Sequence, residues 1–348
     1  MNNSSFEWAV IGAGPAGIAA IGKLIEKGVN AENITWIDPE FKVGDFGTRW
    51  QKVSSNTRVG LFLKFFEACE AFQYDPATSD FAIQQLAPEK TCLLDVAAEP
   101  LRWITENLKN KVHAIRGKAQ QLKLSNRQWE ILLANKTVYA KNVILATGAE
   151  PKSLLFPSVE EIHLATALDP DKLAASCSET DVIAVFGSSH SAMLILRTLL
   201  EKCQVKKVIN FYLSPLRYAV YFDDWILFDD TGLKGMAADW ARININGKLP
   251  TKLERIIAHE ENIRLTLPLC DKAIYAVGFQ KRLIPVEGMH SLEYNDRSGI
   301  IAPGLFGLGI AFPEAKIDRY GTLEYRVGLW KFMEYLNHVM PIWLKYGA

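Results

Sequence analysis

Short apolar runs alternate with helical periodicity along much of the chain. Residues 7–11 are apolar and strand-like, 15–27 carry the 3.6-residue spacing of an amphipathic helix, and 34–38 are apolar again after a break at Gly28 and Asn30. Strand, helix, strand at this length predicts one βαβ unit. Residues 41–56 are rich in Gly, Ser and Thr with few periodic apolar positions, which predicts an extended loop, and 61–72 predict a helix. A further helix is expected over 100–108. Residues 112–124, 128–133 and 137–139 predict a small antiparallel meander, and 143–145 a buried strand ending at Ala146-Thr147-Gly148. The pattern then begins again, with a strand over 182–186, a helix over 192–202 and a strand over 208–212. Strands over 273–277 and 305–308 run into Gly278 and Gly309, and 323–344 predict a closing amphipathic helix. Two βαβ units in one chain predict an α/β protein with a duplicated dinucleotide-binding unit.

Composition narrows the class. With 348 residues there is chain enough for two domains, and 49% apolar with 22% charged residues is the balance of a folded body. Lys plus Arg and Asp plus Glu both number 39, so no overall field favours nucleic acid or an anionic membrane. The expected partner is a small-molecule substrate, with no nucleic acid and no membrane span; the oligomeric state is left open. Residues 1–8 lack a basic segment followed by an apolar one, and no apolar run reaches the roughly 18 to 20 residues of a span, so a soluble, cytoplasmic protein is expected. The five cysteines, Cys69, Cys92, Cys177, Cys203 and Cys270, stand singly and are expected to be free thiols.

The first strand-to-helix turn reads Gly12-Ala13-Gly14-Pro15-Ala16-Gly17. Here Gly12 permits the tight turn, Gly14 lets the backbone approach a pyrophosphate, and Gly17 lets the helix lie close to the sheet. The unpaired N–H groups at the helix start then face the phosphates. Asp38, at the end of the next strand, is the candidate ribose-binding carboxylate. The second turn, Gly187-Ser188-Ser189-His190-Ser191-Ala192, is a degenerate version with serines as added phosphate donors. No carboxylate ends the strand that follows. Ser214 and Arg217 come instead, and an arginine there suits the extra phosphate of NADP, so NADPH is expected over NADH; a solvated loop charge is the other reading of Arg217.

In this order of motifs the chain resembles the flavoproteins with two dinucleotide-binding domains, the superfamily of the pyridine nucleotide-disulfide oxidoreductases, and most closely their flavin-containing monooxygenase branch. The resemblance implies two Rossmann-like domains of the three-layer ββα type, the NAD(P)H-binding domain (156–278) inserted into a discontinuous FAD-binding domain (1–155 and 279–348). It implies FAD and NADPH as cofactors. Thr147, Gly148, Gly278, Gly309 and Ile310 are then further cofactor-binding positions, although Gly309-Ile310 stands where the disulfide reductases have Gly-Asp. Those reductases also need two cysteines a few residues apart, and no such spacing exists here. Gly44, Gly47 and Trp50 look like the monooxygenases' glycine-rich stretch, and Ser55-Asn56-Thr57 looks like their Thr-Asn-Thr-Pro, with Arg58 in place of the proline. The resemblance assigns Asn56 to the reactive edge of the flavin, with Ser55 and Thr57 beside it. Their F-x-G-x-x-x-H fingerprint is echoed only by Phe156 and His163.

The implied activity is reduction of FAD by NADPH, then oxygenation of a nucleophilic nitrogen or sulfur through a C4a-hydroperoxide. Two alternatives stay open on the residues. One is an NAD(P)H-dependent reductase or oxidase passing electrons to a quinone, a protein or oxygen. The other is a non-catalytic sensor or interaction protein that binds FAD and NAD(P). The aromatic and acidic stretch 212–240 reads either as a lid for a cationic amine or as a structural extension.

Overall fold

A computed structural model describes residues 5–346, so residues 1–4 of the polar N-terminal segment and 347–348 lie outside the described residues. The first βαβ unit forms where the pattern places it, as β1 (Ser5–Ile11), α1 (Pro15–Glu26) and β2 (Ile34–Asp38). Every residue of β2 is buried, as expected of a parallel strand covered on both faces. The first sheet has eight strands. Its main path runs His113–Arg116, β2, β1, Thr137–Leu145, Leu305–Gly307, Ile300–Ala302, and the hairpin Gln121–Ser125 with Gln128–Leu132 joins it beside Thr137–Leu145.

The second sheet has five parallel strands, in the order Glu160–Glu161, Lys272–Tyr275, Val182–Phe186, Lys207–Tyr212, Leu253–Ile257. Between the sheets the chain passes twice, and the two passages lie side by side: Ala149–Pro151 pairs antiparallel with Phe279–Lys281. The closing helix Leu329–Trp343 packs on α1, and Trp343 stacks on Phe306, which in turn stacks on Trp8. That aromatic column fixes the C-terminal helix under the first sheet.

Several elements differ from the sequence expectation. Residues 41–56 are not one loop, for they contain the short helix α2 (Gly44–Thr48) and open the strand β3 (Ser54–Arg58). The helix expected over 61–72 ends at Phe66 and continues as a separate turn, Glu70–Phe72. That expected over 100–108 starts earlier, at Leu94, with Pro100 inside it. Residues 112–124 split, because His113–Arg116 pairs parallel with β2 and so belongs to no meander. Residues 137–145 are one strand, antiparallel to Gln128–Leu132 and parallel to β1. The final amphipathic stretch is first an edge strand, Leu323–Arg326, and becomes helical only after Gly328. No helix among the described residues is long and apolar enough to cross a membrane.

Candidate redox site between two nucleotide turns

The two glycine turns are built alike, atom for atom. Gly12 N donates to Ile37 O and Gly187 N to Phe211 O, each at 2.8 Å. Both glycines have positive φ, +111° and +120°, and at both a Cβ would stand 2.3 Å from a carbonyl oxygen of the neighbouring strand, that of Ala146 or that of Ala276. No other residue type fits either position. Each carbonyl at the turn is held from the adjacent strand, Gly12 O by Trp36 Nε1 at 2.9 Å and Gly187 O by Asn210 Nδ2 at 2.8 Å. Duplication read from the sequence is thus present in the hydrogen bonding.

In the first turn the three glycines do different work. A Cβ on Gly17 would stand 1.9 Å from Gly12 O, whereas one on Gly14 meets nothing within 4 Å. Gly14 therefore faces open space at the start of α1. That helix has no side-chain cap and no acidic residue in its first turn, so its free N–H groups and positive dipole end are left for an anion. Pro15 opens the helix without wasting a donor. A Cβ on Gly309 would stand 2.7 Å from Ala16 Cβ, which sets the Gly309-Ile310 backbone against the first turn of α1. Open space beside Gly14, over uncapped N–H groups, fits a dinucleotide such as FAD.

Asp38 lies beside this turn, yet its carboxylate is largely spoken for. Oδ2 accepts from Ala13 N at 2.8 Å, and Oδ1 accepts from Glu40 N at 2.8 Å and Phe41 N at 2.6 Å. It braces the turn and the segment after β2, where Phe41 and Val43 hold positive φ of 57° and 63°. For a β-branched valine that conformation is strained, and strain of this kind persists only where surrounding bonds hold it.

At Ala146-Thr147-Gly148 the first sheet meets the returning chain. Thr147 Oγ1 donates to Arg282 O at 2.6 Å, Arg282 N donates to Gly148 O at 3.0 Å, and Arg282 Nη2 pairs with Asp45 of α2 at 2.5 Å. Sequence reasoning missed both Arg282 and Asp45, whose pairing spans most of the chain. Gly278, φ +95°, receives Lys152 N on its carbonyl at the same crossing. Trp50 packs edge-on against Phe279 at 6.1 Å and joins the core under the second sheet.

The triplet on β3 divides. Ser55 is buried, and its hydroxyl donates to Thr57 O at 2.7 Å while accepting from Cys92 N at 3.2 Å, so it points inward. Asn56 is exposed, with Oδ1 accepting from Thr57 Oγ1 at 3.3 Å and its amide N–H groups without a partner among the described residues. One residue earlier, Ser54 O lies 2.8 Å from His190 Nε2. A carbonyl only accepts, so Nε2 carries a proton, and Nδ1 is buried without a partner among the described residues. Burial, with the charge of Lys234 nearby, holds His190 below its ordinary value, against the raising effect of the Ser54 bond. His190 begins the helix His190–Glu201, again without a side-chain cap or an early acid. The hydroxyls of Ser188, Ser189 and Ser191 are uncommitted among the described residues and stand at that helix start.

Ser214 and Arg217 follow Tyr212 on an exposed stretch, and the Arg217 guanidinium lies 5.4 Å from the Phe228 ring. Another arginine is linked to the turn through Asn210. Arg255 donates from Nε to Asn210 Oδ1 at 2.9 Å, lies 4.2 Å from the Tyr212 ring, and keeps Nη2 buried without a partner. It sits mid-strand in Leu253–Ile257, where a charge amid apolar residues was the available signal. Cys177 and Cys203 lie near each other, but beside Asp181 at the opposite end of the second sheet from Gly187. His163 is exposed beside Glu161, and Phe156 stacks in the second core.

The family model of the pyridine nucleotide-disulphide oxidoreductases matches residues 6–261. The chain belongs to that family. This oxidoreductase is also 35% identical, over 381 residues covering 96% of it and 97% of its relative, to monooxygenase AgnR1 of Paecilomyces divaricatus. Among solved structures it is similar to a flavin-containing monooxygenase from Stenotrophomonas maltophilia, with TM-score 0.66, 16% identity and 99% of each chain covered. It is similar also to the bacillithiol disulfide reductase Bdr of Staphylococcus aureus, with TM-score 0.60, 12% identity, and 98% of this chain and 99% of that one covered. These two likenesses establish the two-domain α/β fold of the family member.

Proposed function

We propose that this family member is an FAD-dependent NADPH oxidoreductase of monooxygenase type, with FAD on the Gly12 turn (residues 1–155 and 279–348) and NADPH on the Gly187 turn (156–278). The observation that carries this reading is the His190–Ser54 bond, which draws the second nucleotide turn against the strand bearing Asn56. Two nucleotides seated on these turns would extend toward one place, the condition for hydride transfer between them. The 35% identity to a protein named a monooxygenase supports the oxygenating branch.

FAD bound on the Gly12 turn would supply the redox chemistry, as acceptor of hydride from NADPH and as the group that activates dioxygen. The chain's residues bind, orient and exclude water. Uncapped N–H groups of α1 and of His190–Glu201 hold the two pyrophosphates. The link of Arg255 to the second turn through Asn210 supports reading it, with Arg217, as the contact of the 2′-phosphate of NADPH. Asn56 presents its amide donors to the flavin edge. The balance is NADPH, a proton, dioxygen and substrate in; NADP⁺, water and the oxygenated nitrogen or sulfur compound out.

Purified protein is incubated with NADPH, isotopically labelled dioxygen and a panel of thioethers and tertiary amines. One labelled oxygen atom in an S-oxide or N-oxide is the expected result. NADPH oxidation that yields only hydrogen peroxide across the panel overturns the oxygenating step and leaves the oxidase or reductase reading.

A further inference from the structure

The aromatic and acidic stretch after Tyr212 was open to reading as an amine-binding lid. All of its carboxylates but Asp223 are already paired: Asp224 with Arg319, Asp229 with Lys234 and Lys331, Asp230 with Lys331, and Asp239 with Arg242. Asp230 and Thr231 are further tied to buried Glu324 by their backbone N–H groups. A cationic amine therefore finds few free partners there. What the stretch does is fold over β3, laying Tyr221 3.8 Å from the guanidinium of Arg58.

Beneath that contact is a cleft of about 730 Å³, bounded by Arg58, the 89–91 loop and the helix Gly235–Asn244. The volume is that of an ordinary small-molecule site. Leu233 and Trp240 are buried in its apolar lining and Met236 extends it. Around the rim, Arg197 pairs with Glu201 and Arg242 with Asp239. Arg58 and Lys90 have no ion-pair partner among the described residues, and against them stands a single unpaired rim carboxylate, Glu89. Arg58 is half-buried, where a charge is screened less than on open surface. It also follows Asn56 by two residues on β3, so their Cα atoms lie within about 7 Å.

We infer that this cleft binds the substrate of the proposed oxidoreductase, and that the substrate is an aromatic or apolar molecule bearing a carboxylate or other anionic group held by Arg58 and Lys90. The inference rests on the proposed redox site at Asn56. Arg58, the departure from the family's proline, is then the residue that selects for charge. A molecule anchored there reaches Asn56 over a few bond lengths.

Equilibrium dialysis of the full-length protein with 2-naphthoate and with neutral 2-naphthamide reads the preference directly. Wild type is expected to bind the anion about tenfold tighter or more, the effect of one charge-assisted hydrogen bond. Arg58→Met and, independently, Lys90→Met reduce that preference several-fold, Arg58→Lys keeps most of it, and Lys316→Met, outside the cleft, keeps all of it. Equal binding of the two probes, or a preference untouched in both methionine variants, overturns the inference. Flavin absorbance and its bleaching by NADPH are recorded on the same samples. Protein that holds and reduces flavin but shows no anion preference overturns the cleft alone; protein that prefers the anion but reduces no flavin overturns the redox reading instead.

Discussion

His190 Nε2 lies 2.8 Å from the carbonyl oxygen of Ser54, and through this bond the second nucleotide turn and the strand carrying Asn56 become one unit. Burial disfavours the charged form of the histidine. Its folded value lies below 6.5 chiefly through burial. The unfolded chain therefore takes up the proton first as pH falls, and stability rises with pH through that window. The contribution is full above about pH 6.5 and is lost as pH falls from there toward the depressed folded value. Melting temperatures of wild type and His190→Gln, followed from pH 7 to 5, should show a shallower acid decline in the variant, whose amide also donates to Ser54 O. Equal slopes would mean that His190 does not titrate in this range.

The first turn separates folding from binding within three residues. Gly12→Ala places a Cβ 2.3 Å from Ala146 O at a positive φ, so a fold penalty of at least about 1–3 kcal/mol is expected. Gly14→Ala adds a Cβ to open space at ordinary φ, so its melting temperature without added flavin should stay within a few degrees of wild type. Its affinity for FAD should fall by tenfold or more, since the methyl enters the space of the pyrophosphate. Thermal melts with and without FAD, and flavin titration by fluorescence, distinguish the two.

Asp38→Asn replaces a carboxylate accepting three backbone N–H groups with an amide that turns a donor toward some of them. A loss of about 1–3 kcal/mol is expected in denaturant unfolding, from N–H groups left without an acceptor. An unchanged unfolding midpoint would mean that Asp38 serves the ligand alone.

Arg255→Met should weaken NADPH binding more than NADH binding, reducing the preference by about tenfold, as for loss of a charged contact to phosphate. Arg217→Met should change it less. Isothermal titration with both nucleotides checks the order, and the reverse order restores the assignment to Arg217.

The turns were legible because the need for a missing Cβ is a signature one residue can carry. Gly12 and Gly187 each face a carbonyl in the structure. Asp38 was located, but its bonds to Glu40 and Phe41 depend on a strained loop that the Gly, Ser and Thr content showed only as irregular. Arg255 was hidden because its place follows from strand pairing, Asn210 opposite Arg255, which local periodicity does not encode. Likewise the acids of the aromatic stretch find Lys331 and Arg319 only in three dimensions. Residues 323–326 alternate buried and exposed as an edge strand over too short a run to outweigh the helical pattern that follows.

The most direct test of the account is an anaerobic titration of the purified protein with NADPH, followed by the flavin absorbance. Bound FAD bleached by about one equivalent of NADPH, and far more slowly by NADH, is the predicted result. Protein that takes up no FAD, or whose flavin stays oxidised with excess NADPH, would contradict it.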